Sequence, residues 1–310
     1  ERARAEYGCD ATTDYHTMLQ RPDLDLIVNA TPSHLHVPIT REILAAGRNV
    51  LCEKPMARHA ADVDALIAAA EKSGKLLAIF QQSRFAPYYQ KVCDVIESGV
   101  LGRIVMVKIA FNGFSRRYDW QTLQCFDGGN LLNTGPHPLD QALGLIGRDI
   151  MPHVWCRMDR VNTYGDAEDF CKVLLSYEGR PIIDLEVCSN APYPVYVYQI
   201  YGQYGGLTGD MSSVSWQAYD PSDAPPMALQ REPLPGPSYC TDALKLASRT
   251  WRVPSSQSDL FNSMAAKFYG NLHRALTQGE ALVVTPRQVR QQVAVIEECH
   301  RQNPLPCLEA

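Results

Sequence analysis

Residues 24–55 read LDLIVNATPSHLHVPITREILAAGRNVLCEKP, and this stretch decides the fold class. It holds two short apolar runs, at 24–30 and 49–52, each followed closely by a proline that ends strand pairing. A helical pattern that includes Pro38 lies between them, and a second helical pattern leads to a third apolar run at 75–80. Alternating strands and helices of this kind predict a Rossmann-like, doubly wound α/β domain with a parallel sheet.

A helix is expected at about residues 87–98, and the apolar period then changes, which predicts a second, α+β domain with a large, mostly antiparallel sheet. The alternating runs are residues 103–109, 173–177, 182–187 and 195–201. Residues 212–254 are rich in Pro, Ser and Asp and have weak periodicity, so we expect an irregular excursion there. Helical spacing returns at residues 260–276 and again after Pro286. A chain of 310 residues is long enough for two such domains.

The composition excludes several classes of protein. There are 29 Lys and Arg against 34 Asp and Glu, a net charge of −5, without the dense basic stripe that nucleic-acid binding needs. No apolar run approaches the roughly 20 residues that cross a bilayer, so no membrane partner is expected. Ten cysteines are scattered singly without a C-x-x-C pair, which disfavours a zinc ribbon or a disulfide framework and indicates a reducing cytoplasm.

Polar residues follow each of the three predicted parallel strands. They occupy positions 31–36, 53–55 and 81–84. Ligands of open parallel sheets bind beyond the carboxyl ends of the strands, so these residues are expected to line a crevice. Lys54 stands beside a proline, and partial burial would lower the pKa of its ammonium group towards a value useful in proton transfer. The alternative is an ordinary surface lysine in a loop.

His34 and His36 raise the question of a metal site, with Cys52 as a conceivable third ligand. Zinc takes three or four protein ligands and a supporting outer shell, and nothing at matching spacing supplies them. We therefore expect no metal. His36 either caps the following helix or faces the crevice.

The segment GGNLLNTGPHPLD at residues 128–140 carries the richest set of polar side chains. If it is helical, Asn133 and His137 lie four residues apart on one face, with Asp140 three further on. A neutral histidine beside an amide and a carboxylate can act as a general base near pH 7. The prolines on both sides of His137 can instead break the helix, and a purely structural histidine is the alternative.

Aromatic residues offer two further sites of interaction. Trp120 lies in a polar loop, where an indole either stacks on a sugar ring or packs against the protein. Tyrosines and aliphatic residues make both faces of the strand at 195–201 apolar. One face can meet helices and the other a second copy of the chain, so we expect a homo-oligomer, a dimer or a tetramer, formed through this sheet.

Taken together, these motifs resemble the Gfo/Idh/MocA family, named for glucose-fructose oxidoreductase and inositol dehydrogenase. The resemblance rests on Ala30-Thr31-Pro32-Ser33-x-x-His36, Cys52-Glu53-Lys54-Pro55, Arg84-Phe85, Gly99-x-x-Gly102 and Gly128-Gly129-x-x-Leu132-Asn133-x-Gly135-x-His137-x-x-Asp140. It extends over nearly the whole chain. The Glu-Lys-Pro triplet after a strand is its most specific element.

The resemblance implies an NAD- or NADP-dependent dehydrogenase. Hydride would pass between the nicotinamide and a secondary hydroxyl carbon of a sugar, cyclitol or glycoside. Residues 1–83 would form the dinucleotide-binding domain, and residues 84–310 the domain for substrate binding and oligomerisation. The substrate would be a small carbohydrate or polyol.

Residue roles carried over from this resemblance centre on two side chains. Lys54 would hydrogen-bond the reacting hydroxyl, and His137 would accept its proton, with Asn133 as the third catalytic position. Cofactor contacts would come from Thr31, Pro32, Ser33, His36, Glu53, Lys54 and Arg84. Substrate contacts would come from Lys54, Trp120, Asn133 and His137.

Two departures from the family pattern qualify this assignment. The position of Asn133 is usually Asp, so the hydrogen bonding is kept and the charge is lost. The first strand and its glycine-rich phosphate-binding turn are not in the sequence, and we expect the full-length molecule to carry them. Two other functions stay open: a glycoside-cleaving enzyme that oxidises the sugar transiently, and a non-catalytic sensor of a dinucleotide or sugar.

Overall fold

A computed structural model describes residues 2–236 and 238–308. Two short helices come first, α1 (Arg2–Tyr7) and α2 (His16–Leu19). A parallel sheet follows, with strands β1 (Ile27–Asn29), β2 (Val50–Cys52) and β3 (Leu77–Ile79) in that order. The connections between strands are α3 (His36–Ala45) and α4 (Ala60–Ser73). The predicted Rossmann-like unit is thereby confirmed.

The second unit is built on a sheet of eight strands. They are β4 (Ile104–Asn112), β5 (His153–Asp159), β6 (Phe170–Ser176), β7 (Ile182–Cys188), β8 (Tyr198–Gly202), β9 (Gly205–Gly209), β10 (Ser213–Ala218) and β11 (Ala247–Arg252). The spatial order is β11-β10-β9-β8-β4-β7-β6-β5. Among the described strand pairs of this sheet, only β4–β7 is parallel. The prediction of a large, mostly antiparallel sheet is confirmed.

Five helices accompany this sheet: α5 (Pro87–Glu97), α6 (Asn130–Asn133), α7 (Pro136–Ile146), α8 (Leu260–Gln278) and α9 (Pro286–Gln302). α7 packs on the sheet at β4 and β7. α8 returns to the first unit, where its Phe268 and Leu272 join the core beneath the parallel strands. α9 contacts both α4 and β5, so it spans the two units. No described helix is long and apolar enough to cross a membrane.

The irregular excursion expected at residues 212–254 contains two strands, so that expectation is wrong in part. β10 and β11 form the edge of the large sheet. Val214 and Ala218 of β10 are buried, whereas β11 is largely exposed. An edge strand with one solvated side and few apolar residues has a weak alternating signal. A second difference concerns β8, which begins at Tyr198, three residues after the start of the apolar run at 195–201 that predicted this strand.

Arg84 joins three parts of the fold. Its guanidinium is buried and forms a bidentate ion pair with Asp140 on α7, with Nε 3.0 Å from the carboxylate. It also donates to the carbonyl of Val283 (2.6 Å) and to Gln288 in the first turn of α9. Burial opposes ionisation of Asp140, but the charges of Arg84 and Arg148 outweigh it and hold the pKa of this carboxyl below its usual value.

Because the ion pair is buried, removing Arg84 is costly: within the described chain Asp140 keeps only Arg148, 3.0 Å away, as a charged partner, and the carbonyl of Val283 loses its donor. We predict that Arg84→Met lowers the free energy of unfolding by about 3–5 kcal/mol, measured by urea denaturation. Arg301→Met is the matched control, since Arg301 is exposed and pairs with Glu298 at the surface, and little change is expected there. Equal, small effects of the two substitutions would contradict this role of Arg84.

Candidate active site

The turn after β1 is held by a buried asparagine. Asn29 donates from its amide to the carbonyl of His36 (3.1 Å) and to the hydroxyl of Thr40 (3.0 Å), and it accepts from the hydroxyl of Thr31 (2.7 Å). Pro32 is exposed at the tip of the turn and Ser33 is buried below it. The turn therefore has a fixed shape at the carboxyl end of the sheet.

His36 lies beneath this turn rather than in the open crevice. Its ring is almost completely buried, with Nδ1 2.6 Å from the carbonyl oxygen of Pro55 and Nε2 2.9 Å from that of Thr31. Both nitrogens thus face backbone oxygens of the loops that follow β1 and β2. The imidazole joins these two loops and sets the position of the neighbouring Lys54.

Lys54 reaches from the first unit to the second. Its Nζ donates to the carbonyl of Asn133 at 2.8 Å, and its peptide bond to Pro55 is cis. Burial lowers the pKa of Lys54; the Glu53 carboxylate opposes this shift and the Arg117 charge adds to it. An ammonium with one hydrogen bond to the protein retains further donors for a ligand.

The two prolines beside His137 do not break the helix that begins there. Pro136 is the first residue of α7 and Pro138 lies in the same turn, where the helix has no need of their missing N–H groups. The amide of Thr134 donates to the carbonyl of Asn130 at 2.9 Å, so the backbone stays helical up to the start of α7. Thr134 and Gly135 keep right-handed helical dihedral angles between α6 and α7, and a shared side for Asn133 and His137 stays a prediction.

Two glycines allow this segment to approach its neighbours. Gly129 has φ +112°, and a Cβ there would collide with the carboxylate of Glu168. A Cβ on Gly135 would collide with the backbone of Leu131. The spacing of glycines in this motif therefore follows from close packing.

His137 is held neutral by its surroundings. Its Nδ1 is 3.1 Å from the hydroxyl of Ser83. Burial and the charge of Lys54 lower the pKa of His137 to about 3, against a smaller opposing effect of Asp140. We therefore expect the ammonium and the imidazole to face one crevice.

Arg84 and Trp120 are the remaining residues that were predicted to contact a ligand. Arg84 was expected beside the cofactor or substrate, but Nε, Nη1 and Nη2 all donate to protein acceptors. Trp120 is 38% exposed and packs edge-on against Phe126, whose ring lies 4.9 Å from that of His34. The indole thus stands near the turn that follows β1.

Comparison with known protein families agrees with the motifs. A family model described as the oxidoreductase family with an NAD-binding Rossmann fold matches residues 1–81, and the GFO/IDH/MocA C-terminal domain matches residues 89–208. Together the two matches cover more than half of the chain. The chain belongs to the Gfo/Idh/MocA oxidoreductase family.

Two of the relatives that the chain resembles are named for sugar derivatives. The chain is 34% identical over 151 residues to dTDP-3,4-didehydro-2,6-dideoxy-alpha-D-glucose 3-reductase of Streptomyces violaceoruber, which is 48% of this chain and 44% of the relative. It is 26% identical over 212 residues to 2,7-anhydro-N-acetylneuraminate hydratase of Mediterraneibacter gnavus, 66% of this chain and 56% of that protein. The matches span about half the length of these relatives.

A solved structure shares the fold over most of the chain. It is the WlbA dehydrogenase of Bordetella pertussis, determined with NADH and UDP-GlcNAcA. The TM-score is 0.72 at 22% identity, and the alignment covers 99% of this chain and 87% of that one. At this identity the likeness concerns the fold alone.

Features of the crevice fit the NAD or NADP cofactor of the Gfo/Idh/MocA family. The Oε1 atom of Gln81 and the Nδ1 atom of His34 are buried without a hydrogen-bond partner in the described chain. Both follow strands of the parallel sheet, at the edge where dinucleotides bind. Thr31, Ser33 and Glu53 border the same edge, and burial raises the pKa of the Glu53 carboxyl.

Two residues of this region had no catalytic or binding role predicted from the sequence. Ser83 contacts His137, and its position directly after the third predicted strand was the only signal for it. Tyr269 of α8 is partly exposed, with its ring 5.4 Å from that of Phe80 after β3. Glu53 contributes to the raised pKa of Tyr269, after burial. No local pattern links a residue so distant in sequence to this edge.

The lowered pKa of His137 can be measured directly. We predict that nitrogen NMR of labelled histidines finds this ring neutral from about pH 8 to about pH 5, because burial and Lys54 disfavour its charged form. His16 is exposed and Asp14 raises its pKa, so it should become charged within the same range. Loss of one signal in His137→Gln assigns the resonance. Titration of His137 near pH 6.5 would contradict the described environment.

Proposed function

We propose that the protein is an NAD- or NADP-dependent dehydrogenase that transfers hydride between the nicotinamide and a secondary hydroxyl carbon of a sugar, cyclitol or glycoside. One observation carries the proposal: the Lys54 ammonium reaches from the first unit to the carbonyl of Asn133 in the second, four residues before His137. Family membership and the sugar-related names of its relatives support the same chemistry. Residues 1–83 would hold the dinucleotide and residues 84–310 the substrate.

The chain's own residues would handle the proton and the charge. Lys54 donates to the substrate oxygen and stabilises the negative charge that develops on it. His137, in the tautomer that donates from Nδ1 to Ser83, keeps a lone pair on Nε2 to accept the hydroxyl proton. When bound, the nicotinamide dinucleotide supplies the hydride acceptor.

Other residues would bind and orient the ligands. We propose that Thr31, Pro32, Ser33 and Glu53 contact the dinucleotide, with Gln81 as an additional acceptor. Asn133 would hydrogen-bond a substrate hydroxyl, and Trp120 would cover a sugar ring. His36 and Arg84 would hold neighbouring residues in place and would not contact a ligand, since their side-chain nitrogens bond to protein acceptors.

We also infer a homo-oligomer in the cytoplasm. The sheet face opposite the helices exposes large apolar side chains, including Trp155 at 53%, Ile182 at 46% and Tyr201 at 40%. They flank the charged cluster of Lys172, Asp184 and Glu186 on the same face, and we propose that a second copy of the chain covers this face. All ten cysteines are free thiols, as is usual in a reducing compartment.

Glycoside transformation through transient oxidation is the second candidate. It is favoured by the relative named as a hydratase, a reaction without net oxidation. Product analysis distinguishes the candidates: a keto sugar with stoichiometric reduced cofactor indicates a dehydrogenase, whereas a released aglycone without net reduced cofactor indicates the transformation. Cofactor binding with no product from any sugar would indicate a sensor instead.

We predict that Lys54→Met lowers kcat/KM for sugar oxidation at least 100-fold, because the developing oxygen charge loses its ammonium partner. Absorbance of the reduced cofactor measures the rate, and circular dichroism checks the fold. Lys72→Met is the matched control, because Lys72 is exposed on α4. The kcat/KM of this variant should equal that of the unmodified protein. Near-normal activity of Lys54→Met would remove the assignment.

A further inference from the structure

A cavity of about 830 Å³ lies directly beside the polar face of α6. Asn130 and Thr134 line it, and Thr134 follows Asn133, whose carbonyl accepts from Lys54. Its other walls come from the ends of β4 and β7, the loop before β8, and the turn between β9 and β10. Lys54 and His137 do not line the cavity themselves, and we assume that a ligand at the Lys54 ammonium reaches it past Thr134.

The cavity wall is mainly apolar and uncharged. Its apolar side chains include Phe111, Val187, Val197, Met211 and Leu260. Among the described residues, no lysine, arginine or histidine lines it, and Asp210 is its single carboxylate. Walls of this composition favour ligands with apolar surface and a few hydroxyl groups.

Asp210 makes the cavity unfavourable for anions. Burial opposes its ionisation, but hydrogen bonds from Ser212 and Ser213, with amide nitrogens 2.7 and 2.8 Å from Oδ1, hold its pKa below the ordinary value. The carboxylate is therefore charged near neutral pH. A phosphate group in this cavity would meet a like charge and no partner of opposite sign.

Groups that often bind phosphate are engaged elsewhere. The amide of Leu131 at the start of α6 donates to the buried carboxylate of Glu168 at 2.9 Å. Arg117, the cation whose charge reaches Lys54, forms a bidentate pair with Asp119 at 2.8 and 2.9 Å. The Leu131 amide is therefore occupied, and the charge of Arg117 is already balanced by Asp119.

The volume indicates a ligand larger than one sugar ring. Cavities of roughly 300–1,000 Å³ accommodate drug-sized molecules, and this one lies in the upper part of that range. We infer that the substrate is an uncharged glycoside whose apolar aglycone fills this cavity, and not a nucleotide sugar. The inference rests on the proposed function, because it assumes that the sugar ring lies beside Lys54 and His137.

Calorimetric titration of the full chain, with and without NAD⁺, tests this inference independently of turnover. The probes are 4-nitrophenyl glycosides, the methyl glycosides of the same sugars, and UDP-glucose and UDP-galactose. We expect the 4-nitrophenyl compounds to bind at least tenfold more tightly than their methyl partners, and the UDP-sugars no more tightly than the methyl compounds.

Met211→Ala is the informative variant, because Met211 lies in the β9–β10 turn and is 39% exposed, so its truncation should leave the fold intact. It should reduce the preference for the 4-nitrophenyl group at least threefold. Met151→Ala is the matched control, an exposed methionine outside the cavity, and should leave the preference unchanged.

Tighter binding of a UDP-sugar, equal affinity of the paired glycosides, or an unchanged preference in Met211→Ala would each overturn the inference. Oxidation of UDP-sugars alone would overturn it while supporting the proposed function. The expected preference without any reduced cofactor would support the cavity assignment while contradicting the dehydrogenase.

Discussion

The buried ion pair between Arg84 and Asp140 is the interaction on which the arrangement of the crevice depends. Arg84 follows the third parallel strand, Asp140 lies on α7, and the same guanidinium also holds the start of α9. His137 is on the helix that this pair fixes, and Ser83 is the residue next to Arg84. The imidazole is consequently held from two sides by one rigid connection between the units, as a preorganised site requires.

The surroundings shift the pKa values of the two groups proposed for proton transfer. Burial lowers the pKa of Lys54 and Glu53 opposes this shift, whereas burial and the charge of Lys54 lower the pKa of His137 to about 3. One charged donor and one neutral acceptor are the combination that deprotonates an alcohol. An amide at Asn133 preserves this division, because it adds hydrogen bonding without another charge.

Much of the crevice could be predicted from the sequence, because short local patterns mark its parts. Strand ends mark the carboxyl edge of a parallel sheet, so Lys54 could be placed there before any coordinates, and helical spacing joined Asn133 to His137. The functions of Arg84 and His36 were not accessible in this way. Their partners, such as Asp140 and Pro55, are fixed by tertiary packing. The strands at 213–218 and 247–252, at one end of the large sheet, were not predicted either, since their solvated sides weaken the apolar alternation.

The most direct test of the account is a double-mutant cycle on turnover between Lys54 and His137. If both groups act on one substrate oxygen, the Lys54→Met/His137→Gln protein should be no slower than the slower single variant, because residues that act as a unit are not additive. Multiplication of the two losses would show that the ammonium and the imidazole work independently, and it would contradict their convergence on one reacting group.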